Sequence, residues 1–367
     1  MKDTRPKEYR YWEQLLKHTS KDSIFSGELV YPRQFEIHLP GDNVIPCNLH
    51  CPHCAGKYFD KSLGNWEDTG LQMLDGLEGN IPYHIYGGAY TEPLLNDRFI
   101  DYIRMTKKHG NHFGIHTNGT LLLQRECENG WLSELNMIAT DNIDYLSISI
   151  DAGLNTSWCK TKGTNDYELF DNIIRAIDIA IQMKRTHSIR LCYLISPFSD
   201  NNDDFSEIVR IAKLYKVDSL RFSIPFAPYN QDFKKVREYK QDRELPYTDS
   251  YRERLAKWLS EYLDDRPYIF YTGSEFTDID RYNFDKCVYC YYQITLGADG
   301  YYYRCSTTAT PTMKMCRVGK IGDDIEQVIR RNQNYLWDAH TCFNSGARCN
   351  RMGLEINCEY DKYSNNR

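Results

Sequence analysis

Cys47, Cys51 and Cys54 lie in the stretch Cys47-Asn48-Leu49-His50-Cys51-Pro52-His53-Cys54, spaced C-x3-C-x2-C. On one short loop that spacing points three thiolates into a single volume. A 4Fe–4S cube takes a thiolate on each iron it shares with the protein, so three ligands leave one iron open to bind and activate a small molecule. The same thiolates, with His50 or His53, would also complete a tetrahedral zinc site. Spacing alone leaves both chemistries open.

A second field of cysteines follows. Of the 13 cysteines in 367 residues, seven (Cys287, Cys290, Cys305, Cys316, Cys342, Cys349 and Cys358) fall in the last 81 residues. The start, Met1 to Trp12, is charged and lacks the apolar core of a signal peptide, and no apolar run reaches membrane-spanning length. The chain therefore reads as cytoplasmic, where cysteines serve metal or redox chemistry rather than a disulfide framework. A net charge of −6 gives no electrostatic case for a nucleic-acid or membrane partner.

The elements that must position these cysteines form a regular series. Gln34–Leu39 reads as a strand feeding the first cysteine loop. Helix and strand signals then alternate: Trp66–Leu77, the strand Pro82–Tyr86, the helix Asp97–Lys108, the strand His112–His116, a helix near Leu132 and the strand Ile143–Ile150. The helix Tyr167–Met183 repeats its apolar residues with the 3.6 period, and the strand Ser188–Ile195, the helix Asp204–Tyr215 and the strand Ser219–Ile224 complete the set. Six strands joined by helices predict a parallel sheet, here a partial (β/α)6 TIM-like barrel of the α/β class, with its site on the loops after the strands. Four segments follow: a lead-in, 1–33, with a helix over Pro6–Lys17; the barrel, 34–272; a small cysteine-rich domain, 273–358; and a polar, frayed tail, 359–367. Phe226–Pro246 reads as a long connection and Tyr251–Leu263 as a last helix.

With the loop after the first strand of a βα series, Cys47-x3-Cys51-x2-Cys54 resembles the radical S-adenosylmethionine (radical SAM) superfamily. Tyr86-Gly87-Gly88-Ala89-Tyr90-Thr91-Glu92-Pro93 resembles its Gly-Gly-Glu-Pro segment, although three residues separate the glycines from Glu92. His116-Thr117-Asn118-Gly119 and Ser147-Ile148-Ser149-Ile150-Asp151 resemble the family's third- and fourth-strand endings. Lys162-Gly163 stands where relatives often carry Arg-Gly. The resemblance implies one 4Fe–4S cluster on Cys47, Cys51 and Cys54, with S-adenosylmethionine bound by His53, Gly87, Gly88, Glu92, Asn118, Ser149 and Asp151. His53 replaces an aromatic residue that lies against the adenine.

Downstream, Cys290-x9-Gly300-x4-Cys305 resembles the SPASM and twitch extensions of that superfamily, which hold auxiliary 4Fe–4S clusters. Strands over Ile294–Gly297 and Tyr301–Tyr303, turned at Ala298-Asp299-Gly300, would bring Cys290 and Cys305 together. Cys342, Cys349 and Cys358 are more widely spaced than the closing cysteines of a full SPASM domain. The expectation is therefore at least one auxiliary cluster, held by Cys287, Cys290, Cys305 and one of those three, with a second cluster or a zinc ribbon as alternatives.

The resemblance implies an enzyme that cleaves S-adenosylmethionine reductively and abstracts hydrogen from an unactivated carbon. The expected outcome is oxidation, a cross-link or dehydrogenation, of a ribosomally made peptide or related natural product. Relatives also act on sugars and aminocyclitols, and an epimerase would use a thiol, Cys159 or Cys192, as hydrogen donor. The N-terminal segment leaves no room for a leader-binding domain, which a separate protein could supply. The expected partner is a reductase, or a flavodoxin- or ferredoxin-type electron donor. A zinc-stabilised binding module is the alternative of a different class.

Overall fold

The computed structural model describes residues 21–41, 46–52, 54, 66–88, 90–184, 186–223, 257–258, 268–272, 284–333, 337–344, 349 and 351–364. The expected helix over Pro6–Lys17, the connection Phe226–Pro246 and all but two residues of Tyr251–Leu263 lie outside these.

A short helix α1 (Lys21–Ser26) leads into β1 (Gln34–Ile37), and the chain then alternates. It runs through α2 (Glu67–Gly76), β2 (Tyr83–Tyr86), α3 (Phe99–Lys108), β3 (His112–Thr117), α4 (Leu122–Asn129), α5 (Trp131–Ile138) and β4 (Tyr145–Ser149). It continues through α6 (Asn155–Lys162), α7 (Glu168–Met183), β5 (Ser188–Leu194), α8 (Asn202–Leu214), β6 (Ser219–Ser223) and β7 (Tyr268–Thr272). All six expected strands are present, several shorter than their apolar runs. At β4 the run begins at Ile143, but Ile143 is exposed and the Asp144 carboxylate accepts from the backbone of Thr140 and Phe113, so pairing starts at Tyr145. The seventh strand, β7, was not expected; it pairs parallel to β6 from Ser219↔Tyr268 to Ser223↔Thr272. Where one helix was expected near Leu132 there are two, divided at Gly130 by a left-handed turn (φ +67).

The strands alternate in burial, and that alternation builds the site. Phe35, Ile37, Phe113, Ile115, Leu146, Ile148, Ile189, Leu191, Leu220 and Phe222 point outward into one core that includes Phe170, Ile173, Ala176 and Ile177 of α7. At roughly 25 cal/mol per Å2 of apolar surface removed from water, this two-layer contact is the main favourable term of the fold. The intervening positions include the polar residues Glu36, His116, Tyr145, Ser147, Ser149, Arg190, Arg221 and Ser223, with Cys192 among them. They face the concave side that the helices do not cover.

After β8 (Lys286–Cys287), β9 (Gln293–Leu296) pairs parallel to β1, in register from Gln34↔Gln293 to Ile37↔Leu296. The antiparallel strands β10 (Tyr301–Tyr303) and β11 (Arg317–Lys320) follow. One ten-stranded sheet results, in the order β11-β10-β9-β1-β2-β3-β4-β5-β6-β7. The cysteine-rich segment thus extends the barrel sheet at the β1 edge. The expected hairpin is present, turned at Gly300, whose φ of +75 favours glycine. Helix α9 (Ile325–Gln333), the strand β12 (Trp337–Asp338), paired with β8, and helices α10 (Ala339–Asn344) and α11 (Arg351–Ser364) close the chain. Helix α11 continues to Ser364 and buries Tyr360, so the expected fraying at Glu359 does not occur: the helix is held by packing against the turn at Tyr289–Tyr291. No helix among the described residues is long and apolar enough to cross a membrane.

Candidate metal and cofactor site

The first cysteine loop follows β1, on the same end of the sheet as the loops after β2, β3 and β4. Cys47, Cys51 and Cys54 are half-buried, and the backbone N–H of Cys54 donates to the Cys51 carbonyl at 3.0 Å, turning the loop on itself. Burial pushes the thiols of Cys47 and Cys51 up to about 11. Neutral thiols are the stable form without a cation; a bound metal reverses this by compensating the thiolate charge. Three thiols on one turned loop, with no fourth protein ligand required, are the donor set of an iron–sulfur cluster that leaves one iron open, and the residues fit that group.

The ends of β3 and α6 hold the loop. Asn118, just after β3, donates from Nδ2 to Cys47 Sγ at 3.6 Å and to Asn48 Oδ1 at 3.0 Å. Asn48 in turn donates to Thr120 Oγ1 at 2.9 Å. Gly163, at the end of α6, has φ +69, and a Cβ there would collide with the His50 carbonyl. Gly87 (φ +70) is equally crowded: a Cβ would strike the His116 carbonyl, and one on Gly88 would strike the Glu36 carboxylate. The Gly-Gly pair is therefore required by close approach to β1 and β3.

Glu92 is placed differently from expectation. It is 1% exposed; its Oε1 accepts from Thr117 Oγ1 at 2.7 Å and Leu94 N at 3.1 Å, and its Oε2 accepts from Asn118 N at 2.7 Å. Its backbone N–H donates to the Pro46 carbonyl at 2.8 Å. Both oxygens are committed to protein donors, so Glu92 clamps the cysteine loop to β3. Burial pushes its carboxyl up to about 7, against the pull of those three donors.

Asp151 and Ser149, expected as cofactor contacts, meet a buried lysine. Lys162 Nζ lies 2.5 Å from Asp151 Oδ2 and donates to the Ser149 carbonyl at 2.8 Å, while Asp151 Oδ1 accepts from Leu194 N at 2.7 Å. The Lys162 ammonium lies within electrostatic reach of Cys51, where it favours the thiolate. Lys162 was noted in the sequence only as an arginine replacement, and its neighbours Lys160, Thr161, Gly163 and Thr164 gave no signal that it is buried. His53 lies outside the described residues.

The two candidate hydrogen donors separate. Cys192 lies on the concave face of β5, its Sγ 3.0 Å from Ser147 Oγ. Cys159 sits in the packed layer, its Sγ meeting Asn155 Oδ1 at 3.5 Å and the Asp166 carbonyl at 3.7 Å. Those partners belong to α6 and the loop after it, so Cys159 is held away from the concave face. Sequence reasoning missed the remaining polar residues of that face, His116, Tyr145, Arg190 and Arg221. Their signal was there: polar residues at every second strand position.

The C-terminal cysteines converge. Cys349 lies within electrostatic reach of Cys287, Cys305, Cys342 and Cys358, and Cys287 of Cys305 and Cys342. Cys290, on the short turn after β8, neighbours Cys287 and Cys305. Burial holds the thiol of Cys287 up at about 12. Cys316 Sγ is 3.9 Å from Cys342 Sγ, which also accepts from Trp337 Nε1 at 3.1 Å. Tyr90 bridges toward the first loop: its OH donates to the Thr307 carbonyl at 3.2 Å, and its ring lies within electrostatic reach of both Cys54 and Cys305.

Residues 46–212 match the family model described as the radical SAM superfamily. Over 107 residues the chain is 36% identical to the tungsten-containing aldehyde ferredoxin oxidoreductase cofactor-modifying protein of Pyrococcus furiosus, a match covering 28% of this chain and 28% of that protein. The chain thus spans little more than a quarter of this curated relative. Among solved structures, Streptococcus suis SuiB bound to S-adenosylmethionine superposes with a TM-score of 0.58 at 12% identity, covering 88% of this chain and 71% of that one. SuiB bound to its precursor peptide SuiA superposes with a TM-score of 0.53 at 13% identity, covering 77% of this chain and 62% of that one. At these identities the likeness is one of fold.

Proposed function

Residues 46–212 of this chain belong to the radical SAM superfamily, and from that premise we propose that the protein oxidatively modifies a ribosomally made peptide or related natural product, by cross-linking or dehydrogenation. Bound at Cys47, Cys51 and Cys54, a 4Fe–4S cluster would supply the electron that cleaves S-adenosylmethionine and so initiates hydrogen abstraction. The chain's own residues do the rest. Asn118 and Glu92 hold the cysteine loop against β3, the backbone of Gly87 and Gly88 meets the cofactor, and the concave face excludes bulk water around the substrate. Cys287, Cys290, Cys305 and Cys349 are the set assigned to an auxiliary cluster, with Cys342 and Cys358 beside it.

The observation that carries the oxidative reading is Tyr90, whose OH donates to the Thr307 carbonyl, two residues from Cys305, and lies within electrostatic reach of both Cys54 and Cys305. An electron acceptor held by the second cysteine field would then lie near the first, in reach of a substrate held inside the barrel. The superposition on SuiB with its precursor peptide supports a peptide substrate; the P. furiosus relative, named for modifying a cofactor, supports a small molecule. Cys192 favours a second reading, epimerisation, because a thiol on the concave face can return a hydrogen atom. A reductase or flavodoxin- or ferredoxin-type protein is the proposed electron donor.

Anaerobic reconstitution tests the reading. The protein should bind about eight irons with one auxiliary cluster and about twelve with two, and should lose about four when Cys47, Cys51 and Cys54 are changed together to alanine. Reduced protein should form 5′-deoxyadenosine, and Cys51→Ala should form none. Oxidation yields a product two hydrogens lighter; unchanged mass with one solvent deuterium, lost in Cys192→Ala, would instead establish epimerisation. Zinc with negligible iron after anaerobic purification would overturn the assignment.

A further inference from the structure

Arg304 stands beside the second cysteine field with a charge that no carboxylate meets. It follows β10 and immediately precedes Cys305. Its Nη1 donates to the Asn332 carbonyl at 2.8 Å and to Asn332 Oδ1 at 3.1 Å, and its Nε is buried without a partner. The guanidinium lies 4.1 Å from the centroid of the Trp337 ring. Both supports lead to cysteines: Asn332 Nδ2 donates to the Cys290 carbonyl at 3.3 Å, and Trp337 Nε1 donates to Cys342 Sγ at 3.1 Å. Arg317 on β11, and Arg330 and Arg331 on α9, each meet a carboxylate, at 2.7, 2.7 and 2.9 Å. Arg304 meets none among the described residues. Its charge acts on sulfur instead. Burial first pushes the Cys290 thiol up, and Arg304 opposes that shift. At Cys342 the contact with Cys316, and then burial, raise the thiol, and Arg304 again opposes.

We propose that Arg304, held in place by Trp337 and Asn332, raises the reduction potential of the auxiliary cluster and so makes it a stronger acceptor for the electron that oxidation of the substrate releases. This rests on the reading above that the second cysteine field holds a 4Fe–4S cluster. Taking up one electron adds one negative charge to a cluster and its thiolates, so a fixed cation beside them favours the reduced form. Local charge and groups beyond the ligands are levers by which a protein moves such a potential. The indole holds the flat face of the guanidinium, and the Asn332 oxygens hold its edge, which keeps the charge from swinging out to water. Loss of that charge lowers the potential.

Anaerobic potentiometric titration followed by electron paramagnetic resonance tests this on the whole chain with Cys47, Cys51 and Cys54 changed to alanine, so that the second cysteine field alone reports. In that parent, Arg304→Gln should retain about four irons per chain. It should lower the equilibrium constant for reduction by roughly tenfold or more, which is about 59 mV for a one-electron couple. Arg304→Lys keeps the charge and should recover at least half of that shift. Asn332→Asp sets a carboxylate against the intact arginine and should lower the constant by roughly threefold or more; it decides the matter if Arg304→Gln does not hold iron. An Arg304→Gln midpoint within roughly twofold of the parent, or a lysine variant shifted as far as the glutamine one, would overturn the assignment. The second of these would show that the shape of the side chain acts and its charge does not. Iron retained with an unmoved midpoint refutes the role of Arg304 alone, whereas a parent that binds no iron refutes the auxiliary cluster itself.

Discussion

Lys162→Met should destabilise the fold by about 3–5 kcal/mol, the usual cost of leaving one partner of a buried ion pair unpaired. The side chains of Lys162 and Asp151 are 2% and 4% exposed, so neither charge is appreciably solvated. Methionine fills most of the volume, which keeps the packing penalty small and isolates the electrostatic one. Asp151 would retain one short hydrogen bond, from Leu194 N at 2.7 Å, too little to hold a dehydrated carboxylate. The double variant Asp151→Asn/Lys162→Met removes both charges and should recover at least half of the loss. Asp151 also has a φ of +56, which asparagine tolerates, so the backbone at the end of β4 survives the exchange. Urea titration followed by circular dichroism measures all three proteins at one pH and one reductant concentration. A loss under about 1 kcal/mol for Lys162→Met, or a double variant no more stable than the single, would refute the view that this pair is held by mutual neutralisation.

Two further outcomes follow from the same geometry. Gly88→Val should force Glu36 and His38 apart and weaken S-adenosylmethionine binding by at least roughly tenfold while iron content stays unchanged, measured by equilibrium dialysis and iron assay; unaltered binding would show that the glycine pair does not meet the cofactor. Burial holds His84, His116 and His187 down at about 4, 3 and 4, and pushes Glu92 up to about 7. Each histidine contributes stability above its unfolded pKa of about 6.5 that is lost as pH falls toward the folded value, whereas Glu92 gains stability over the same fall. The histidines prevail by about two protons, so the urea midpoint should drop between pH 6.5 and 5, with a slope of up to about 2.7 kcal/mol per pH unit. A midpoint that rises over that interval would contradict the burial of these imidazoles.

The chemistry-bearing loop and the βα series were legible in the sequence because both are local signals. A C-x3-C-x2-C loop needs only a turn, and a helix such as α7 writes its buried face in the spacing of Phe170, Ile173 and Ile177. The hairpin that brings Cys290 toward Cys305 was readable for the same reason, with Gly300 marking its turn. What the sequence could not contain was pairing between distant segments. That β9 joins β1 rather than founding a separate sheet depends on an edge left unpaired by strands more than 250 residues earlier. β7 stood in a stretch with no flanking alternation, so its assignment required β6 to pair with. The roles of Glu92 and Cys159 were likewise decided in three dimensions. A glutamate beside a glycine pair can face a ligand or the backbone of the next strand, and only the donors of Leu94, Thr117 and Asn118 turn Glu92 inward. Cys192 and Cys159 looked alike as lone cysteines; strand pleat sends one to the concave face, and helix packing holds the other among Asn155 and Asp166.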